Sequence, residues 1–257
     1  GRNIHFGVRE HAMGAICNGL SLYLEGPVFC STFMAFSNYM IPPMRMSALM
    51  NLPVLYLFSH DSYKIGQDGP THQPVEQLGQ LRLIPNLNVF RPADTNELIH
   101  CYKLATDTDK PSAFALSRQK LQNVSYGAKN IFKGGYVLSG TKGDVSIFAS
   151  GSEVSLALDV AKELKNLGIK CEVCSFPSLN VFDAQSDTYK NSVLNGSKHK
   201  VVIEASNDTH WYKYLNEKDL FIGVENFGES GTPDELDRKF GFTTNLIVKK
   251  IKNLIKK

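Results

Sequence analysis

At 257 residues, with 42% hydrophobic and 21% charged content, the chain is long enough for one large or two ordinary domains and apolar enough to fill their cores. This composition excludes a disordered protein, and a formal net charge of only +3 with no basic block in the body of the chain argues against nucleic acid as a partner. No run reaches the roughly 18 apolar residues a spanning helix needs, and no charged-then-apolar signal segment opens the chain. The expectation is therefore a soluble, cytoplasmic protein with no membrane partner.

The first periodic stretch is GVREHAMGAICNGLSLYL, where Met13, Ile16, Leu20 and Leu24 recur at helical intervals. It predicts a helix from near Glu10 to just before Gly26-Pro27. Taken alone, Glu10 reads as a first-turn carboxylate favoured by the helix dipole, and His5 and His11 as structural. Residues 28–33 form a short β-prone run. The following TFMAFSNYM sets Phe33, Phe36 and Tyr39 three apart, so that on successive helical turns the rings share a face. Such a stripe usually packs a core, and Pro42-Pro43 are expected to break or kink the helix that carries it.

The apolar run 53–58 delivers HDSYKIGQDGPTHQP, residues 60–74, which gathers two histidines and two aspartates beside Gly69-Pro70. A buried strand feeding a polar loop is where open parallel sheets place ligands, and this loop holds more chemistry than a connection requires. A helix is expected over 74–83 with proline at its start, a strand over 87–90, and a helix to about Ala105 opened by the capping pair Asp94 and Glu97. The strand 112–116 ends at Ser117-Arg118-Gln119. An arginine there is surface charge or a fork-shaped donor set for a phosphate, and by itself the surface reading is favoured.

Residues 121–135 have little periodicity and mark a boundary. Beyond it, 144–149 reads as a strand. Ser152 is the expected cap of a helix whose Val154, Ala157, Leu158, Ala161, Leu164 and Leu167 line one face, ended by Gly168. Strands over 169–175, 201–205 and 220–224 and helices over 186–194, 233–240 and 244–256 complete the chain. The lysine-rich tail 248–257 reads as the end of a terminal surface helix. The five cysteines, at 17, 30, 101, 171 and 174, are odd in number and irregularly spaced, so they are expected as reduced thiols, with Cys171 and Cys174 as strand residues. SGSEV, 150–154, is similar to a helix-start anion site, though capping is the plainer account. His210, Trp211 and Tyr214 form a polar-aromatic group open to several roles. The alternation of strand and helix predicts an α/β fold class: two domains with mostly parallel sheets flanked by helices, residues 1–122 and 136–257.

The ordered series GVREHAMG, STF with Phe36 and Tyr39, HDS, DGPTHQPVEQ, LSRQ, GSEV, WYKY and FGES resembles the transketolase family across essentially the whole chain. DGPTHQPVEQ is highly specific, whereas GVRE or GSEV alone are modest signals. The stretch that the chain resembles is the carboxyl-terminal part of such an enzyme, namely a pyrimidine-binding domain lacking its start and the transketolase C-terminal domain. Because the chain also opens on Gly1, it is expected to be a fragment and inactive alone.

The resemblance implies thiamine diphosphate as cofactor, with Glu10 at the aminopyrimidine ring. A carboxyl group sharing a proton with a ring nitrogen there favours the imino tautomer that activates the thiazolium carbon. It makes Phe33, Phe36 and Tyr39 the aromatic wall of the cofactor site. His60, as a catalytic residue too, lines the sugar channel with Asp68 and His72, and Arg118 meets the substrate phosphate. The implied reaction transfers a two-carbon ketol unit from a ketose phosphate to an aldose phosphate in the pentose phosphate pathway. No metal ligand is expected in this chain. Mg2+ or Ca2+ would be bound by the missing diphosphate-binding half, and the complete protein is expected as a homodimer. Dihydroxyacetone synthase and deoxyxylulose-phosphate synthase are the alternatives within thiamine enzymes. A non-catalytic assembly or sugar-phosphate-binding module is the alternative from another class.

Overall fold

The computed structural model describes residues 2–24 and 26–256; Gly1, Glu25 and Lys257, the last residue of the basic tail, lie outside it. The first half contains α1 (Glu10–Tyr23), β1 (Val28–Phe33), α2 (Ile41–Met50), β2 (Val54–Ser59), α3 (Gln77–Arg82), β3 (Asn88–Phe90), α4 (Thr95–Thr106) and β4 (Ser112–Leu116). Its strands form a parallel sheet in the order β1-β2-β4-β3. The central strand β2 is almost continuously apolar, as a strand covered on both faces must be.

The second half contains β5 (Tyr136–Gly140), β6 (Val145–Ala149), α5 (Glu153–Asn166), β7 (Cys171–Ser175), α6 (Leu179–Asp183), α7 (Asp187–Leu194), β8 (His199–Ile203), β9 (Leu220–Ile222), α8 (Pro233–Phe240) and α9 (Thr244–Ile255). The sheet order is β5-β7-β6-β8-β9, parallel except for β5. The expected α/β class with two mostly parallel sheets is what the chain adopts. Every described cysteine is a free thiol, and Cys171 and Cys174 lie in β7. No helix among the described residues is long and apolar enough to cross a membrane.

Several elements differ from the sequence reading, each for a physical reason. Pro42-Pro43 do not break the aromatic segment. They fall in the first turn of α2, where a missing N–H costs nothing. The segment before them, Met34–Met40, is a 3-10 helix, whose three-residue turn is what aligns residues three apart. Pro74 stands outside α3, which starts at Gln77. Asp94 caps α4 by accepting the Glu97 N–H at 2.9 Å, but the Glu97 carboxylate leaves the capping box. It accepts from Tyr136 Oη at 2.8 Å and Ser175 Oγ at 2.5 Å in the second half. Ser152 makes no capping bond; its hydroxyl turns to Glu153. Leu167 is 51% exposed because α5 ends at Asn166 and the chain turns away from the helix face. The edge strand β5 and the short α6 carry too few apolar residues in rhythm to be read from sequence.

The two halves share packing. Tyr63, Val75 and Ala93 of the first half belong to the apolar core between α5, α9 and the second sheet. Burying a side chain of valine's size contributes about 1.5–3 kcal/mol, so separating the halves would forfeit part of the stability of that core.

Candidate active site

β1 and β2 run parallel and in register, Phe33 opposite Ser59, so the segments that leave them emerge side by side at the carboxyl edge of the sheet. One is the 3-10 helix with its aromatic stripe, and the other is the polar loop from His60. Gly7, in the left-handed region at φ 66°, turns the entering chain so that the first residue of α1, Glu10, faces the same place. A cleft of about 790 Å³ results, lined by Gly7, Val8, Glu10, Thr32, Phe33, Phe36, Tyr39 and His72.

The rings of Phe33 and Phe36 lie 6.1 Å apart and within 4° of parallel. Tyr39 continues the wall 6.4 Å from Phe36 and is 63% exposed. The His60 ring stacks on Phe33 with centroids 3.8 Å apart, and His72 stands edge-on to Phe36 at 5.2 Å. Glu10 is half-buried and makes no hydrogen bond or ion pair with another side chain among the described residues. A flat apolar wall with a free carboxyl group beside it suits a planar, nitrogen-bearing ring.

The His60 Nδ1 is 2.8 Å from Ser59 Oγ. Partial burial lowers the pKa of its imidazole, and the Arg118 charge lowers it further, against the opposing pull of Asp68 and Asp61. The lowering favours the neutral imidazole, which offers one donor and one acceptor. Asp68 and Arg118 are exposed and do not line the cleft, but both are near enough for their charges to act on His60. His5 and His11 are exposed and stand outside it.

Sequence reasoning missed the residues that hold this loop. Gln73 donates from Nε2 to Gly66 O at 2.7 Å and to Glu229 O at 2.8 Å, clamping the loop to the second half. Ser230 Oγ donates to Gln67 O at 2.8 Å, and Tyr63 Oη donates to Asp237 Oδ1 at 2.6 Å. Beneath the loop lie two buried arginines, each about 1% exposed at the side chain. Arg91 bonds Asp61 and Glu153, while Arg82 bonds Glu204 and Asp208. Trp211 Nε1 donates to Glu204 at 2.5 Å, and His210 Nδ1 lies 2.6 Å from Asp208 Oδ1. These contacts correct the reading of SGSEV. Its Glu153 is itself the anion, and its partner is Arg91, so the segment clasps the two halves. The only available sequence signal was an arginine directly after a strand, in FRPAD. Among the described residues no group of three or more His, Cys, Asp or Glu is arranged to hold a metal ion.

An aromatic wall, a free carboxyl group and two imidazoles gathered at the carboxyl edge of a parallel sheet place the chain among α/β domains that build a site at that edge. Residues 1–124 match the family described as Transketolase, pyrimidine binding domain, and residues 134–243 match Transketolase-like TK C-terminal domain. A transketolase of Halalkalibacterium halodurans is 44% identical over 99% of this chain and 40% of its own length. Among solved structures, transketolase from Campylobacter jejuni superimposes with a TM-score of 0.93 at 40% identity, covering 98% of this chain and 39% of that one. A Pichia stipitis transketolase solved in complex with sedoheptulose-7-phosphate gives 0.91 at 40% identity, covering 97% and 37%. The chain belongs to the transketolase family. It spans about two fifths of the length of the curated relatives it matches.

Proposed function

We propose that this chain supplies the pyrimidine-binding domain, within residues 1–122, and the C-terminal domain, residues 136–257, of a transketolase that moves a two-carbon ketol unit between sugar phosphates. The observation that carries the reading is the cleft in which Glu10 shares one wall with Phe33, Phe36, Tyr39 and His72. Thiamine diphosphate, when bound, supplies the nucleophilic carbon that carries the ketol unit.

The chain's own residues do the rest. Glu10 holds a proton at the aminopyrimidine nitrogen; its free, half-buried carboxyl group fits that role. Phe33, Phe36 and Tyr39 present flat apolar faces to the ring and exclude water. His60, kept neutral, and His72 read sugar hydroxyls and move protons at the sugar oxygens, and Asp68 accepts from a further hydroxyl. Pairing these donors and acceptors rejects an epimer that leaves one of them unsatisfied. Arg118, exposed at the loop rim, takes the phosphate by charge-assisted bonds. The diphosphate and its metal ion, Mg2+ or Ca2+, would be held by the remainder of the protein, in a dimer that closes the cleft from the other side. Five free thiols suit a reducing compartment such as the cytoplasm.

The test is ketol transfer by the complete protein with thiamine diphosphate and magnesium. Glu10→Ala should cut turnover by about 100-fold or more while leaving cooperative unfolding intact, since it removes a proton-transfer group and only the small helix-dipole contribution of a first-turn carboxylate. Near-normal turnover would reject the assignment. Arg118→Ala should raise KM for phosphorylated sugars far more than for unphosphorylated ones, and equal losses would reject the phosphate role.

A further inference from the structure

His60 stands in the left-handed backbone region, at φ 63°, which a residue with a Cβ occupies only against steric cost. Neighbouring contacts must hold it there. On one side Ser59 Oγ meets its Nδ1. On the other, the next residue, Asp61, is buried and its Oδ2 accepts from Arg91 Nε at 2.9 Å, while Oδ1 has no partner among the described residues.

Arg91 is in turn fixed from the second half. Its Nη1 donates to Glu153 Oε2 at 2.5 Å, to Ser150 O at 2.9 Å and to Ser150 Oγ at 3.3 Å. The Gly151 N–H donates to Arg91 O at 2.9 Å, and Gly151 has φ 57°. A Cβ on Gly151 would fall 2.8 Å from Arg91 Cγ and Cζ, so the glycine backbone lies directly against the guanidinium stem. A planar fork with one nitrogen on each carboxylate cannot turn without losing one of them. The cleft itself is lined entirely by the first half.

We propose that Arg91 is a positioning residue: by bridging Asp61 to Glu153 it lets the C-terminal half set where the His60 imidazole stands over Phe33. The proposal rests on the reading of His60 as a sugar-facing group. The alternative, that Arg91 merely fastens the two halves, makes a different prediction for Asp61→Asn. That variant keeps side-chain size and the Arg91–Glu153 contact but removes the charge that fixes Asp61.

The stacking gives a direct readout, because the His60 ring lies with its centroid 3.8 Å from that of Phe33 and 26° from parallel, where the ring current of Phe33 shifts its protons upfield. In the 257-residue chain labelled at histidine, the His60 signal is assigned by its loss in His60→Gln, and Phe33→Leu gives its unstacked position. Asp61→Asn and Arg91→Lys should each move the His60 signal at least halfway to that position, leaving the exposed His5 and His11 signals in place. In the complete enzyme Asp61→Asn should lower kcat/KM for the ketose by on the order of 10- to 100-fold, the loss expected from misplacing a reacting group by about 1 Å. If either variant loses cooperative unfolding, Glu153→Gln perturbs the bridge from the far side and is read in the same way. A His60 signal unmoved in every folded variant, or a moved signal with unchanged kcat/KM, overturns the proposal. If the parent protein transfers no ketol unit, the proposed function falls, and the histidine signals still decide whether Arg91 places His60.

Discussion

Replacing Arg82 by methionine tests the buried charge network that joins the two halves. Arg82 Nη1 meets Glu204 Oε2 at 2.9 Å and also Asp208, with all three side chains essentially inaccessible. Its guanidinium carbon lies 5.8 Å from the centre of the Trp211 ring. Methionine conserves much of the volume, so the loss is electrostatic: two carboxylates remain buried together without their cation. Removing one partner of a buried pair costs about 3–5 kcal/mol, a large part of the roughly 5–15 kcal/mol that holds a typical domain folded.

The sign of the pH dependence follows from the same picture. Stripped of Arg82, Asp208 stays buried without the cation that opposes burial, so its folded-state pKa is expected above its unfolded value of about 4. The folded state then binds more protons than the unfolded state, so stability falls as pH rises from about 4 through the raised value. The deficit of Arg82→Met should therefore be larger at pH 8 than at pH 5.5, by up to about 1.4 kcal/mol per pH unit for each proton retained. Urea unfolding followed by fluorescence of Trp211, the single tryptophan, reads the network directly. Adding Glu204→Gln and Asp208→Asn to Arg82→Met should restore most of the loss. A deficit under about 1 kcal/mol at pH 8, or one that ignores pH, would refute the reasoning.

Asp94 accepts from the N–H groups of Glu97, Val124 and Ser125 and from Ser125 Oγ, all within 2.9 Å. Burial raises its pKa, but these donors outweigh burial and hold it below the usual range. Asp94→Asn should cost about 2 kcal/mol at pH 7 in urea titrations, and the difference should be present above about pH 4 and fade as pH falls through the depressed value. A difference that grows in acid would contradict this. A Cβ on Gly228 would lie 1.7 Å from Gln73 Oε1, so Gly228→Ala should cost about 1–3 kcal/mol in thermal unfolding and speed amide exchange in residues 66–73. Unchanged exchange there would mean that the loop is held without Gln73. Thr232 and Glu235 form a full capping box at the start of α8, and Thr232→Ala should cost about 1 kcal/mol, seen as faster exchange in the first turn of that helix.

What the sequence determined by itself was what depends on near neighbours and on recognisable motif order. The helical spacing of Met13 and Leu20, the cap at Asp94, the start at Pro233 and the apolar run into β2 act over a few residues, so periodicity and turn chemistry expose them. The aromatic triplet was legible as sharing a face, and motif order tied it to Glu10 and the loop histidines. Tertiary structure alone decided where charge is buried. Arg82, Arg91, Glu97 and Glu153 look in sequence like surface or capping residues, yet each finds its partner across the two halves, the Arg82–Glu204 pair being 122 positions apart. A charge enters a core only where an opposite group is already held there, and that depends on how the two sheets pack. Nothing within a few positions of either residue records it.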